Sequence, residues 1–324
     1  MVPIFQYISL TDIAAADTTC IVTYRPQMEL LRRSVARLGV LTPLHLRRFP
    51  ERPRLQVVCG SKRLQAGQEA ACTHVPALIY EAAELSDEQA FLLALHDNLG
   101  CRPFNVVEKA RVLCRLRQDF HYPTATLIDV WCPLLDLPPR PETVDAYCHL
   151  AGLDDALQAA TVEGVLPFDT ALWIGQHSAA DRQALLALFT GLKLSSNRAR
   201  EFASLIEDIC QRDACSVASL LTPLGIATLL GEPTLAGPQK IEHVRRLLRQ
   251  SRYPRLSAHE QRFQEGVRHL RLPSQISVRP PPYFEGQQYQ VSFSFGSRQE
   301  LQQYAQRLLE AAAAPALDDL LTLL

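Results

Sequence analysis

Apolar positions along this chain change their period several times, and each change marks an element. Leu55-Gln56-Val57-Val58-Cys59 is a nearly continuous apolar run of strand length. Gly60 ends it, and the alanine-rich segment that follows reads as a helix. A further helix is expected over 85–96. Val107, Ala110, Leu113, Cys114 and Phe120 recur at helical steps, which predicts an amphipathic helix from Val107 to Phe120. A short helix around 124–136 follows, stopped by Leu137-Pro138-Pro139. Pro141 suits the first turn of a helix over 140–150 that turns Val144, Tyr147 and Leu150 inward. Helices are expected over 153–163, from Phe168, and from an N-cap at Ser195 or Ser196. Between 213 and 238 the prolines and glycines interrupt any long helix. Ile241, Val244, Leu247 and Leu248 then predict a helix over 239–252. Near the C-terminus the period becomes two: Gln275–Val278 reads as a strand, and Tyr289–Phe295 alternates so that Tyr289, Phe293 and Phe295 share one face. Ser297-Arg298-Gln299-Glu300 is a capping-box pattern opening a helix to about Ala314.

Composition narrows this picture. The 324 residues, 47% of them hydrophobic, are enough for two or three cores. No apolar stretch has the length of a bilayer span, and no leader pattern opens the chain, so a cytoplasmic protein without a membrane partner is expected. The nine cysteines contain no C-x-x-C pair, which fits buried thiols in a reducing compartment. The formal net charge is -1, and residues 111–212 hold 9 Lys/Arg against 13 Asp/Glu. That balance argues against a broad nucleic-acid surface in the middle of the chain.

The candidate chemistry begins at Gly60. A strand, a glycine-started turn bearing Lys62 and Arg63, and a helix N-terminus together bring free backbone N–H groups and two cations toward one anion. The plain alternative is a solvated basic turn. From the residues alone, Asp97 and Asn98 could cap the turn after the helix expected over 85–96. Glu108 reads equally as a helix N-terminal carboxylate. On the helix over 140–150 the outward set is Glu142, Thr143, Asp145, Ala146 and His149. Thr143 and His149 could meet bases, with Arg140 on a phosphate. Lys193, Arg198 and Arg200 are further phosphate-contact candidates. The densest cationic face, around Lys240, Arg245, Arg246, Arg249 and Arg252, offers Arg246 and Arg249 for backbone contact or is a solvated helix face.

Residues 1–210 resemble the N-terminal and central domains of ParB, the CTP-dependent DNA partition proteins. The resemblance rests on Leu31 to Leu44, where Thr42 stands for the usual Gln before Pro43; on Gly60-Ser61-Lys62-Arg63-Leu64-Gln65-Ala66, matching the family's Gly-Glu-Arg-Arg-x-Arg-Ala box; and on Asp97-Asn98-Leu99 through Glu108. It implies an α+β multidomain chain. A ParB/sulfiredoxin-like α/β nucleotide-binding domain would occupy 1–105 and an all-helical domain with a helix-turn-helix 106–212. Beyond the stretch the resemblance covers, the residues themselves predict a connector over 213–238 and a small α+β unit over 239–324, whose apolar face would be covered by a homodimer, as the family's C-terminal region suggests, or by packing on the helix over 239–252. The resemblance places CTP or another nucleoside triphosphate, with Mg²⁺, against Thr42, Gly60, Ser61, Lys62, Arg63, Asn98 and Arg102, the metal on Asp97 and Asn98. Double-stranded DNA and a partition ATPase are the implied partners, with nucleoid or plasmid association. Ser61 replaces the box's acid and Cys101 the third motif's Arg, so binding is better founded than hydrolysis, and any triphosphatase activity is expected to be weak. The alternatives are a nuclease or phosphotransferase on the same fold, and a scaffold that has lost both ligands.

Overall fold

The computed structural model describes residues 2–323, and the chain divides into two compact units, Met1–Ser178 and Ala179–Leu324. The division falls inside the stretch expected to be one helical domain over 106–212, because residues 106–178 fold with the N-terminal sheet.

Five strands form the sheet of the first unit: β1 (Ile4–Ser9), β2 (Ile13–Ala14), β3 (Leu44–Arg48), β4 (Leu55–Cys59) and β5 (His74–Glu81), in the order β1-β5-β3-β4-β2. β3, at the centre, runs parallel to β5 and antiparallel to β4. β4 is buried at every position, as a continuous apolar run with both sheet faces covered requires. Leu44, Leu46, Val57, Val75 and Ile79 fill one face beneath Leu64 of α2 (Ser61–Glu69). Val35 of α1 (Glu29–Leu38) closes over Ala66 of α2 on the far side. The opposite face packs Val58, Cys59 and Tyr80 on Ala90 and Ala94 of α3 (Asp87–Leu99).

α3 also belongs to a second core. Its Phe91 and Leu95 meet Val112, Leu113 and Leu116 of α4 (Val106–Gln118), together with Leu127, Trp131 and Val144. The helix expected around 124–136 is α5 (Thr124–Thr126) continued by a π turn over Leu127–Trp131 into α6 (Cys132–Leu134). α7 (Pro141–Ala151), α8 (Asp155–Val162) and α9 (Phe168–Gly175) complete the unit.

The second unit is built from α10 (Ala179–Leu192), α11 (Ser196–Asp213), α12 (Val217–Leu221), α13 (Ile226–Gly231), α14 (Gly237–Arg252), α15 (Pro254–His269), β6 (Ser277–Arg279), β7 (Gln290–Ser292), α16 (Arg298–Ala312) and α17 (Pro315–Leu321). Two expectations are corrected here. The strand from Tyr289 to Phe295 shrinks to three residues, and its aromatics part company. Tyr289 stacks on Phe263 at 5.3 Å and donates its hydroxyl to the Leu320 carbonyl, whereas Phe293 meets Tyr304 edge-on at 5.7 Å. The hairpin finds its floor on α15 and α17, where Phe263, Leu270 and Leu320 are buried. Among the described residues no helix is long and apolar enough to cross a membrane.

Candidate functional site

Gly60 makes the site. It stands at φ +98°, outside the range a β-carbon tolerates, and a β-carbon there would lie 2.5 Å from Leu44 Cδ2. The turn therefore stays tight enough for β4 to feed straight into α2. No side chain caps that helix, and the first turn lines a cavity of about 310 Å³. Gly60, Ser61, Lys62, Arg63, Thr42, Asp97, Asn98 and Cys101 all border it, so residues from three distant stretches of sequence converge.

Their commitments differ. Arg63 donates Nη1 to the carbonyls of Pro43 (2.7 Å) and Thr42 (3.2 Å), and its Nη2 stands 3.7 Å from Asp97. Much of its fork is thus spent bracing the approach to β3. Asn98 donates to the Ala94 carbonyl one turn back on α3 at 2.8 Å. Arg102 does not border the cavity; it forms a bidentate pair with Glu108 at 2.6 and 2.7 Å. Among the described residues the Lys62 ammonium has no such anchor. Burial, then the charge of Arg102, pushes its pKa below the usual lysine range, and an anion beside it would relieve both effects. Among the described residues no group of three His, Cys, Asp or Glu is placed to hold a metal by itself. Asp97 could serve Mg²⁺ only with phosphate oxygens completing the shell.

Sequence reasoning missed the strap that closes the cavity. Cys20, Ile21, Val22 and Thr23 line it, yet they precede the first helix with no periodic pattern to flag them. The strap continues into Tyr24 and Arg25. The Tyr24 hydroxyl donates to Asp155 on α8 at 2.8 Å, and Arg25 pairs with Asp155 at 3.3 Å and Glu163 at 2.7 Å. Arg25 holds φ +46° directly before Pro26, a left-handed conformation that costs a non-glycine residue roughly 1–2 kcal/mol.

Behind the cavity, His45 Nδ1 lies 3.0 Å from the Tyr80 hydroxyl and the two rings stack. Burial holds its pKa below the ordinary 6.5, with the charge of Asp97 opposing. As pH falls through 6.5 the unfolded chain takes up this proton before the folded one, so stability declines with acidification in the window just below 6.5. We expect urea midpoints measured between pH 5 and 7 to follow that slope, and His45→Gln to flatten it.

The nucleic-acid candidates are more dispersed. On α7, Arg140 and His149 are exposed and Thr143 is half-buried, but Asp145 pairs with Arg117 of α4 at 2.7 Å. Lys193, Arg198 and Arg200 are exposed in the second unit. Arg245 and Arg252 are tied to Glu201 and Asp208 of α11. That leaves Arg246 and Arg249 in a groove of about 340 Å³ between α14 and α15, which Glu242 and Glu260 share.

A mixed sheet with helices on both faces, a positive-φ glycine and an uncapped helix start describe an α/β domain with a strand-to-helix turn that opens on a cavity. Residues 4–99 match the ParB N-terminal domain family, and the chain is ParB-like through this domain. The probable chromosome-partitioning protein ParB of Pseudomonas putida is 28% identical over 139 residues, 43% of this chain and 44% of that protein. The chromosome-partitioning protein ParB of Myxococcus xanthus is 33% identical over 94 residues, 29% and 30% of the two chains. The chain thus spans less than half the length of these curated relatives. Two C-terminally truncated ParB structures from Caulobacter crescentus also align. One, complexed with CTP-γ-S, covers 57% of this chain and 98% of its own at 22% identity and a TM-score of 0.25. The other, complexed to the centromeric parS site, covers 61% and 98% at 20% identity and a TM-score of 0.35.

Proposed function

We propose that this protein is a nucleotide-dependent DNA-binding protein of the ParB type, acting in the partition of a chromosome or plasmid. The observation that carries the reading is the cavity at the start of α2, where the unanchored Lys62 and an uncapped first turn meet Asp97 and Asn98. Inside a ParB N-terminal domain, that chemistry suits a nucleoside triphosphate with Mg²⁺, and the motif resemblance puts CTP first. Lys62 and the α2 N–H groups would take the phosphates, with Asp97 toward the metal. Arg63 would position rather than bind, since its donors hold Thr42, Pro43 and Asp97. Binding needs only these groups; hydrolysis would need a base that Ser61 does not supply. A cytoplasmic, nucleoid- or plasmid-associated protein follows from this reading, with a homodimer through the C-terminal region and a partition ATPase as further partners.

For DNA, we assign sequence reading to α7 through Thr143 and His149, with Arg140, Lys193, Arg198, Arg200, Arg246 and Arg249 on phosphates. Anisotropy with duplexes flanking the protein's own gene and with random duplexes, with and without CTP-Mg²⁺, tests this. Replacing Thr143 or His149 by alanine should cost about 1–3 kcal/mol of discrimination between sites, whereas Arg246→Ala should weaken all duplexes alike and reduce the salt slope by about one. The Arg117–Asp145 pair and the carboxylates beside Arg246 favour one competing reading, a scaffold without DNA affinity. Absence of binding to every duplex at low salt would select it.

A further inference from the structure

α4 and α7 pack against each other, and an ion pair marks their register: Arg117 of α4 meets Asp145 of α7 at 2.7 Å. One turn back along α4 stands Cys114, and one turn on along α7 stands Cys148, each on the same helix face as its charged neighbour. In this antiparallel arrangement the two thiols meet, and they share a hydrogen bond in which Cys148 donates to Cys114. Arg117 contacts Cys148 as well. Beneath the pair, Leu113 and Val144 are buried in the core that both helices close, so the facing positions are held from below. Both thiols are half-buried, which leaves them open to a small solute. Side chains this close need only turn about χ1 for the sulfurs to approach to the roughly 2 Å of a disulfide. Cys210 and Cys215 share a hydrogen bond too, but a link there would tie the end of α11 to its own turn and join no second helix.

We propose that Cys114 and Cys148 are a redox-modification site, a dithiol that hydrogen peroxide converts to a disulfide stapling α7 onto α4. The Cys114 thiolate attacks one peroxide oxygen and the O–O bond breaks, which leaves a sulfenic acid on Cys114 and a hydroxide that the released thiol proton turns to water. The Cys148 sulfur then attacks the sulfenic sulfur and expels its oxygen, which takes the Cys148 proton and leaves as the second water. Each sulfur is oxidised by one electron, and both peroxide oxygens are reduced. Burial raises both thiols, Cys148 to about 11, and the thiolate is the nucleophile. The shared hydrogen bond favours the charge on Cys114, which makes it the attacking sulfur. The step is therefore slow at neutral pH and quickens as pH rises, which suits a site that answers sustained oxidant. In a reducing compartment the bond would be transient. α7 is the helix assigned above to DNA reading, and the staple would hold it still, but the thiol chemistry does not depend on that assignment.

The test treats the reduced full chain with hydrogen peroxide, blocks the remaining thiols by alkylation and maps linked peptides by mass spectrometry. It is run in the unmodified chain and in Cys101→Ser, because Cys101 is the exposed thiol and the competing target. We expect a Cys114–Cys148 link in both, reversed by dithiothreitol and absent from Cys148→Ser. Its rate of formation should rise roughly tenfold per pH unit between pH 7 and 9, with the thiolate fraction. Oxidation should also raise the urea midpoint of the first unit by about 1 M or more, since the link closes a long loop, and should not do so in Cys148→Ser. Tryptophan fluorescence reads that midpoint, because Trp131 lies in the core beneath the pair. Cys114 and Cys148 staying reduced at peroxide levels that oxidise Cys101 would overturn the proposal. So would a link that forms only in urea, a link from either sulfur to a different cysteine of the folded chain, or a link that leaves the midpoint unchanged.

Discussion

Replacing Glu108 by alanine should cost the first unit about 3–5 kcal/mol, the range for removing one member of a buried ion pair. The carboxylate is 1% exposed and accepts four donors: both Nη atoms of Arg102, the Tyr24 N–H at 2.8 Å and the Asn105 N–H at 2.9 Å. Alanine leaves a guanidinium and two backbone N–H groups facing a hole, and each buried donor left without an acceptor is expensive. The cap of α4 would suffer as well. Asn105 and Glu108 form a reciprocal box there, and Glu108 is the half that returns to the Asn105 N–H. Glu108→Gln keeps the shape and one acceptor oxygen and should fall between the two. Urea unfolding followed by tryptophan fluorescence reads this well, since Trp131 sits in the core that α4 joins. A loss below about 1 kcal/mol for Glu108→Ala would contradict the role given to this carboxylate.

The second large effect belongs to Lys62. If its ammonium takes a phosphate oxygen, Lys62→Ala should weaken nucleotide binding by about 1.5–3 kcal/mol, the value of a hydrogen bond to a charged group, or roughly 10- to 150-fold. Stability should hardly move, because Lys62 is half-buried and has no ion pair of its own. Arg63→Ala is a less clean experiment. It strips the donors from the Thr42 and Pro43 carbonyls and frees Asp97, so affinity and stability should fall together. That contrast separates the group that binds from the group that positions. Equal losses of affinity in the two variants, with stability unchanged in both, would overturn it.

The β4–Gly60–α2 unit was legible because three local signals agree there: an unbroken apolar run, a glycine and a helix-forming segment. α4 and α14 were legible from apolar spacing, and α7 from apolar spacing together with Pro141 in its first turn, all within one or two residues of their observed ends. The sheet order was not, since pairing β3 with β5 is a contact between segments that carry no mark of each other. The strap was invisible for a related reason. Tyr24 and Arg25 find their partners about 130 residues away, at Asp155 and Glu163. α15 was missed because only Phe263 is buried along it, which leaves a weak apolar stripe. The hairpin was over-read: alternation from Tyr289 to Phe295 is real in the sequence, but only Gln290–Ser292 finds a ladder partner. At the candidate site the fold brings Thr42, Gly60–Arg63, Asp97 and Asn98 to one cavity and leaves Arg102 outside it, while the division of labour among Lys62, Arg63 and Arg102 depends on which cation already has a carboxylate or carbonyl, and that is a property of the folded chain.

Calorimetric titration of the full chain with CTP, ATP and GTP in the presence of Mg²⁺ addresses the central claim most directly. The account predicts saturable binding of at least one of these triphosphates, CTP foremost, which weakens by an order of magnitude or more in Lys62→Ala while that variant stays folded. No heat of binding with any of the three, from protein whose unfolding transition is intact, would contradict it.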